Sequence, residues 1–221
     1  MSEQWRLAFL GDAALSVHVV EPLPLDANAC VHRLARRLRK AAVPGVRDIV
    51  PGMRELVVHV DPLRCDVSLV DVALRTTSDD VEPERVSSGI VDVPVRYGGA
   101  FGPDLDDVAR ACGLTPDEVC RRHGATEYVV CFVGFLPGFP YLGLLDPQLR
   151  LPRRGTPRPR VPAGSVAIAG EYSGIYPWDS PGGWHIIGNT DVTMFDVDAT
   201  PPARLAAGTR VRFVAGQAVS S

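Results

Sequence analysis

The sequence contains a single lysine, Lys40, among its 221 residues. A Walker A loop needs a lysine on the nucleotide phosphates, and Schiff-base enzymes use a lysine amine as the nucleophile. This scarcity of lysine excludes a Walker A nucleotide site and argues against Schiff-base chemistry.

Cysteine and histidine are also few, and their spacing suits neither a disulfide framework nor a metal site. The five cysteines include no Cys-x-x-Cys pair and are odd in number, which fits a reducing cytosol. The five histidines stand at positions 18, 32, 59, 123 and 185, without the spacing of metal ligands. We therefore expect a cytoplasmic protein with no metal site.

Two further absences bear on binding partners. The formal net charge of -3 gives no electrostatic footprint for nucleic acid. No basic and apolar leader opens the chain, and no apolar run approaches the length of a membrane span. We expect neither nucleic acid nor a membrane as a partner, although positive charge is clustered within residues 150–160.

The order of the predicted elements indicates two domains. Residues 1–78 show two strands, a helix, two strands and a helix, which is typical of a small α+β domain. Residues 79–89 are polar and patternless, and we interpret them as a linker. In residues 90–221 short strands are separated by glycine and proline corners, a pattern that favours an antiparallel β-barrel.

Several element boundaries can also be predicted. Asp26 is expected to cap a helix over residues 27–42, and Asp104 a short helix in the second domain. Residues 115–118 form a capping box that begins another helix, and residues 192–197 are expected to form a strand. The buried face of the first helix is predicted to carry Val31, Leu34, Leu38 and Ala41.

Glycine, proline and aromatic residues are concentrated within residues 132–190. Glycine allows close backbone approach and proline fixes φ, so this composition indicates a rigid pocket wall. A β-barrel with many tight corners uses the same residues, and both interpretations remain open. The candidate wall residues are Phe135, Phe139, Tyr141, Tyr176 and Trp184.

The same block carries candidate anion ligands. Arg158, together with Arg153 or Arg154, can make bidentate contacts with a carboxylate or a phosphate. The prolines on both sides of Arg158 stiffen its backbone, which suits either a ligand contact or a structural ion pair. Backbone amides that could line an oxyanion or a phosphate belong to Gly164, Ser165, Gly182 and Gly183.

One histidine of the block, His185, is the only candidate there for catalytic proton transfer. Packing within a sheet or a hydrogen bond to the backbone is the alternative interpretation. Ser165 does not lie in a Gly-x-Ser-x-Gly elbow, which argues against a nucleophilic serine. The sequence shows no complete catalytic set, and this points to a site shared with a partner protein.

Six motifs follow one another through the second domain. They are Gly134–Leu142, Pro152–Arg154, Thr156–Arg158, Val161–Val166, Gly174–Pro177 and Pro181–Trp184. In this order they resemble one protein family, known variously as the 5-oxoprolinase B subunit, the KipI-type kinase inhibitor and allophanate hydrolase subunit 1. The resemblance covers nearly the whole chain and is weaker before residue 90. Tyr172 departs from it, since many relatives carry glutamine there.

The resemblance implies a small N-terminal α+β domain followed by a mostly-β, cyclophilin-like barrel. It implies a larger homologous partner subunit with its own cyclophilin-like barrel, and a third, barrel-type subunit. The expected activity of the complex is ATP-dependent opening of 5-oxoproline to glutamate, with ATP bound at or across the partner interface. A urea- or allophanate-type hydrolase is the related alternative. A different alternative is a regulatory protein that inhibits a sensor histidine kinase.

Overall fold

The structure, a computed structural model, describes residues 5–75 and 89–216. The chain divides into two units, residues 1–85 and 86–221. The predicted linker, residues 79–89, lies outside the described residues except for Gly89. No helix within the described ranges is both long and apolar enough to cross a membrane.

The first unit is built from four strands and two helices. The elements are β1 (Trp5–Phe9), β2 (Ala14–Val19), α1 (Pro24–Ala41), β3 (Val46–Pro51), β4 (Glu55–Val60) and α2 (Val67–Arg75). The strands form an antiparallel sheet in the order β1-β2-β4-β3, and both helices share one apolar core with it. Alternation of apolar and polar residues in the strands directs one face of the sheet to that core.

Helix α1 begins earlier than the sequence predicted. Pro24 occupies the first turn, where the missing N–H of proline costs no hydrogen bond, and the capping residue Leu23 makes no side-chain cap. The prediction that Asp26 caps the helix was wrong, because Asp26 lies inside the first turn. Ala41 is exposed, against prediction, since it lies in the last turn of the helix. The buried residues are Ala27, Asn28, Cys30, Val31, Leu34, Ala35 and Leu38.

The second unit is a closed barrel of seven strands with a separate two-stranded ribbon. The barrel strands are β5 (Ile90–Tyr97), β6 (Glu127–Val133), β7 (Pro140–Gly143), β9 (Ser165–Ala169), β10 (Tyr172–Ile175), β12 (His185–Asn189) and β13 (Arg210–Ala215). The ribbon strands are β8 (Arg158–Val161) and β11 (Ser180–Gly182), and the helices are α3 (Leu105–Cys112), α4 (Pro116–Ala125) and a 3₁₀ turn (Pro147–Leu149). Around the barrel the strand order is β10-β7-β6-β13-β5-β12-β9.

Two predictions about the strands of the second unit were wrong. The barrel is not wholly antiparallel, because β13 lies between β5 and β6 and pairs parallel with β5. Residues 192–197 form no strand, and only one isolated bridge joins Phe195 to Ala203. There the Asp196 side chain accepts a hydrogen bond from the Asp198 backbone, a local bond that competes with a sheet ladder.

The two helices between β5 and β6 begin and end at recognisable signals. Gly113 ends α3 with φ of 67°. The Thr115 hydroxyl accepts from the Glu118 backbone at the start of α4, so Thr115 is the cap that the sequence predicted. The Glu118 carboxylate binds Arg121 and Arg122, so the reciprocal half of the predicted capping box is replaced by ion pairs. Asp104 precedes α3 as expected, but its side chain makes no cap hydrogen bond. Its carboxylate is engaged elsewhere.

A buried histidine, His123, lies among the apolar residues of the barrel core, against Tyr128 and Phe213. The Tyr97 hydroxyl lies 2.7 Å from its Nδ1, and the Ser173 hydroxyl lies 2.8 Å from its Nε2. Because Ser173 donates to the Ala167 carbonyl, it accepts from Nε2–H, and Nδ1 accepts from Tyr97. Burial lowers the pKa of His123 to about 3, so the imidazole is neutral at physiological pH.

Candidate functional site

A cleft of about 200 Å³ lies on the outer face of the barrel. Ala167 and Ala169 of β9 face the aromatic cluster that forms its floor, whereas Val166 and Ile168 face the barrel core. Alternation along the strand therefore separates core from cleft. The cleft is lined by Phe135, Phe139, Tyr141, Arg153, Pro157, Tyr176, Pro181, Gly182, Gly183 and Trp184, which include all five aromatic residues proposed from the sequence.

Phe139 is the centre of the aromatic wall. Its ring centroid lies 5.1 Å from Tyr141, 5.2 Å from Tyr176 and 5.4 Å from Trp184, each edge to face. Such arrangements stabilise aromatic pairs beyond simple burial. Phe139 and Tyr176 are buried, as is most of Trp184, so the wall is fixed before any ligand arrives.

Two glycines allow this packing. A Cβ atom on Gly174 would lie 2.7 Å from the Phe139 ring and 3.0 Å from the Trp184 ring. A Cβ atom on Gly182 would collide with the Tyr176 hydroxyl. At both positions the backbone lies so close to an aromatic ring that only glycine, which has no Cβ atom, fits without a shift of the ring.

At the mouth of the cleft, Phe135 is 61% exposed and has φ of 69°. A left-handed backbone costs a residue with a side chain roughly 1–2 kcal/mol. The turn that holds it is closed by the Gly134 amide, which donates to the Phe139 carbonyl at 3.1 Å. The backbone of Phe135 is thus strained where its ring meets solvent.

Two of the three predicted anion-binding arginines are bound to Asp104. The two terminal nitrogens of Arg158 donate to the Asp104 carboxylate at 2.8 and 2.6 Å, and a terminal nitrogen of Arg154 donates to it at 2.8 Å. The Ile186 amide of β12 donates to the same carboxylate at 2.7 Å. Neither arginine lines the cleft. The structure therefore places Arg154 and Arg158 in an ion-pair cluster centred on Asp104.

The electrostatics of Asp104 reflect opposing causes. Burial raises the pKa of Asp104, but hydrogen bonds from Arg158 and the Ile186 amide, together with the charges of Arg158 and Arg154, lower it by more. The net result is a pKa below the ordinary value. The same hydrogen bond raises the pKa of Arg158. Asp104 is thus ionised and paired at physiological pH.

Arg153, in contrast, lines the cleft with an exposed side chain. It makes no hydrogen bond or ion pair with any residue that the structure describes. Burial raises the pKa of Tyr141, and the charge of Arg153 acts in the opposite direction. Burial likewise raises the pKa of Tyr176, again opposed by Arg153 among other groups. The guanidinium of Arg153 therefore acts electrostatically on both tyrosine hydroxyls.

The four predicted amide donors separate into two pairs. Gly164 and Ser165 do not line the cleft. Their amides are already engaged, since they donate to the carbonyls of Tyr176 and Pro162, at 2.7 and 3.2 Å. Gly182 and Gly183 do line it. Only the second pair lies where a ligand in the cleft would meet it.

His185 lies in β12 and does not line the cleft. Its Nε2 is 2.9 Å from the Pro152 carbonyl, so this nitrogen carries the proton and donates. Within the described ranges, no group of three or more His, Cys, Asp or Glu side chains could hold a metal ion. The hydrogen bond to the backbone, which the sequence left as an alternative, is the contact that His185 makes.

Sequence reasoning missed the part that Asp104 takes. A signal was available, since residues 150–160 contain five arginines and no acidic residue. Arginines that are partly buried need a counter-charge from elsewhere in the chain. Local sequence cannot say which carboxylate supplies it.

Comparison with known proteins gives two findings from sequence. The family model described as "Carboxyltransferase domain, subdomain C and D" matches residues 5–205. The B subunit of 5-oxoprolinase from Escherichia coli O157:H7 is 42% identical over 212 residues, which are 95% of each chain.

Solved structures give two further findings. The protein TTHA0988 is 37% identical with a TM-score of 0.81, and the match covers 94% of this chain but 41% of that one. The chain therefore spans less than half the length of TTHA0988. The urea carboxylase of Kluyveromyces lactis is 18% identical with a TM-score of 0.76, and the match covers 96% of this chain and 22% of that one. This last likeness is one of fold.

Proposed function

The chain belongs to the carboxyltransferase subdomain C and D family, and because it is so similar to the 5-oxoprolinase B subunit we propose that it is a component of an ATP-dependent 5-oxoprolinase. Such a complex opens the lactam of 5-oxoproline to glutamate. The observation that carries the proposal is 42% identity across 95% of both chains.

The cleft is the proposed place for the substrate. Opening an unactivated lactam requires a group that binds the substrate carboxylate, donors for a developing oxyanion, and exclusion of water. The cleft offers Arg153, which has no partner among the described residues, the backbone at Gly182 and Gly183, and walls of aromatic rings. Arg153 corresponds to the carboxylate-binding group, the glycine backbone to the oxyanion donors, and the aromatic walls to the exclusion of water.

The described residues that line the cleft supply an incomplete set of catalytic groups. The residues that line the cleft include one guanidinium and two phenols, but no carboxylate, imidazole or thiol. We therefore propose that the larger homologous subunit completes the site, with a third, barrel-type subunit in the complex. The greater length of TTHA0988, of which this chain matches 41%, supports a second polypeptide segment that works with this one.

ATP does not fit the cleft described above. Drug-sized ligands occupy pockets of about 300–1,000 Å³, and this cleft has about 200 Å³. A triphosphate also needs several cations or a metal ion, and Arg153 is the only cationic residue that lines the cleft within the described part of the chain. We propose that ATP binds to the partner or across the interface with it.

Reconstitution tests the proposed function. The chain is co-expressed with the larger homologous subunit and the third, barrel-type subunit, and glutamate formation and ATP hydrolysis are measured with 5-oxoproline. We expect both products from the full set and neither when this chain is omitted. Turnover of urea or allophanate instead of 5-oxoproline would reassign the substrate, and no turnover of any of them would refute the proposal.

A further inference from the structure

The backbone on both sides of Arg153 is held in place by hydrogen bonds. On one side, the Pro152 carbonyl accepts from Nε2 of His185 at 2.9 Å. On the other side, the Arg154 amide donates to the Gly183 carbonyl at 2.8 Å, and the Arg154 guanidinium donates to Asp104 at 2.8 Å. The segment that carries Arg153 is therefore fixed relative to β12, which begins at His185.

Between these fixed points, the side chain of Arg153 projects from a segment whose backbone is held on both sides. Arg153 makes no ion pair or hydrogen bond with the described residues, and the Tyr141 hydroxyl likewise makes no hydrogen bond with them. The Arg153 side chain is exposed where it lines the cleft, so its charge is open to an anion that enters. A planar carboxylate matches the two parallel N–H donors of a guanidinium.

The size and shape of the cleft restrict the rest of the ligand. A volume of about 200 Å³ accommodates a ring with one or two substituents, well below the roughly 300–1,000 Å³ of pockets for drug-sized ligands. The rings of Phe139, Tyr176 and Trp184 meet edge to face, at 5.2 and 5.4 Å from Phe139. They form an apolar wall for a flat ring.

On these grounds, and resting on the proposed function, we infer that the cleft binds a small cyclic amide that carries a carboxylate, with Arg153 as the residue that binds the carboxylate. Asp104, Arg154 and His185 are positioning residues, because they hold the segment around Arg153 and do not line the cleft. Of the three candidate arginines, only Arg153 contacts the ligand.

Equilibrium binding to the assembled complex, without ATP, tests this inference. The probes are 5-oxoproline and 2-pyrrolidinone, which has the same lactam ring without the carboxylate. In Arg153→Gln we expect the affinity for 5-oxoproline to fall about 10- to 100-fold, as for loss of a hydrogen-bonded ion pair. The affinity for 2-pyrrolidinone should be unchanged. Arg110→Gln, which removes the same charge from an exposed pair on α3, is the matched control.

The positioning role of His185 is tested by measuring the steady-state kinetics of the complex. Glutamine at 185 retains an N–H donor for the Pro152 carbonyl, whereas phenylalanine has none. We expect His185→Phe to raise KM for 5-oxoproline several-fold with kcat and its pH profile unchanged, and His185→Gln to restore KM. Loss of kcat in both variants would assign His185 to the chemistry and overturn its positioning role.

The remaining outcomes separate this inference from the proposed function. If the complex hydrolyses 5-oxoproline and Arg153→Gln leaves affinity and KM within twofold of wild type, the inference fails and the function stands. If the complex binds 5-oxoproline through Arg153 but never hydrolyses it, the function fails and the binding site stands. A wild-type complex that does not bind 5-oxoproline overturns the inference.

Discussion

Arg158 and Asp104 form a bidentate ion pair across 54 positions of sequence, with N–O distances of 2.8 and 2.6 Å. The Asp104 side chain is 2% exposed. Because the same carboxylate also accepts from Arg154 and from the Ile186 amide, one buried charge joins the arginine-rich segment, β12 and the start of α3. The rigid placement of Arg158 between two prolines thus serves this cluster.

Replacement of Asp104 by asparagine should destabilise the protein. The volume is kept, but two guanidinium groups lose their counter-charge. Breaking a fully buried ion pair costs about 3–5 kcal/mol, and we expect about 2–4 kcal/mol here because the two arginines retain access to solvent. Urea denaturation measures the free energy of unfolding. The exposed Asp107, paired with Arg110, is the control, and Asp107→Asn should cost under about 1 kcal/mol. Equal losses in the two variants would contradict the assignment.

The same pair predicts a dependence of stability on acid. The pKa of Asp104 is lower in the folded protein than its ordinary value, so its contribution is fully present above the unfolded-state pKa of about 3.9. That contribution is lost as the pH falls through the lower, folded-state pKa. Between about pH 4.5 and pH 2.5, wild type should therefore lose more unfolding free energy than Asp104→Asn. Parallel pH curves for the two proteins would refute this prediction.

Arg158→Lys should affect stability and leave ligand binding intact. Lysine keeps the charge but replaces two parallel hydrogen bonds with one, so we expect a loss of about 1–2 kcal/mol in the free energy of unfolding. The affinity of the complex for 5-oxoproline should remain within about twofold of wild type, because Arg158 does not line the cleft. Loss of affinity without loss of stability would instead make Arg158 a ligand-binding residue.

His123 should make the barrel unit sensitive to mild acid. Burial lowers its pKa to about 3, so its contribution to stability is fully present above the unfolded-state pKa of about 6.5 and declines as the pH falls. The limiting slope is about 1.4 kcal/mol per pH unit. The stability advantage of wild type over His123→Gln should shrink by about 1 kcal/mol from pH 6.5 to pH 5.5. A difference that does not change with pH would show that the unfolded and folded states bind protons equally at this site.

Gly174→Ala should disturb the cleft and the core beneath it. The added methyl group would meet the Phe139 ring at 2.7 Å, and overpacking of this kind costs about 1–3 kcal/mol. We also expect weaker binding of 5-oxoproline, since the displaced ring moves into the cleft. Gly155→Ala is the control, because nothing lies within 4 Å of its Cβ position. If both variants matched wild type in thermal stability, the packing argument would be wrong.

Elements with strong local signals could be predicted from the sequence. Residues 115–118 predicted a helix start, and α4 begins there with Thr115 as its cap. Strands β7, β8, β10 and β11 were missed because they are only three or four residues long and contain glycine or proline. The parallel pairing of β13 depends on a partner more than a hundred positions away, and no local pattern encodes it.

The sequence predicted which aromatic residues form the candidate site, but it could not predict how the arginines around them are paired. The five aromatic residues line one cleft, while their role in binding stays a prediction. The sequence offered three arginines but could not say which one lacks a partner, because that depends on Asp104, 54 positions before Arg158. Inhibition of a sensor kinase likewise stays a prediction, and no contact described above favours it.

The position of β13 in the barrel has a consequence for folding during synthesis. Until residues 210–215 leave the ribosome, β5 and β6 each lack a neighbour on one side, and unpaired strand edges invite pairing with other chains. Phe213 of the same strand stacks on His123, with 4.4 Å between the ring centroids. The packing around the buried histidine is therefore also completed only when β13 is present. The barrel therefore closes only after translation of β13, and a nascent chain that stalls earlier leaves the edges of β5 and β6 open to pairing with other chains.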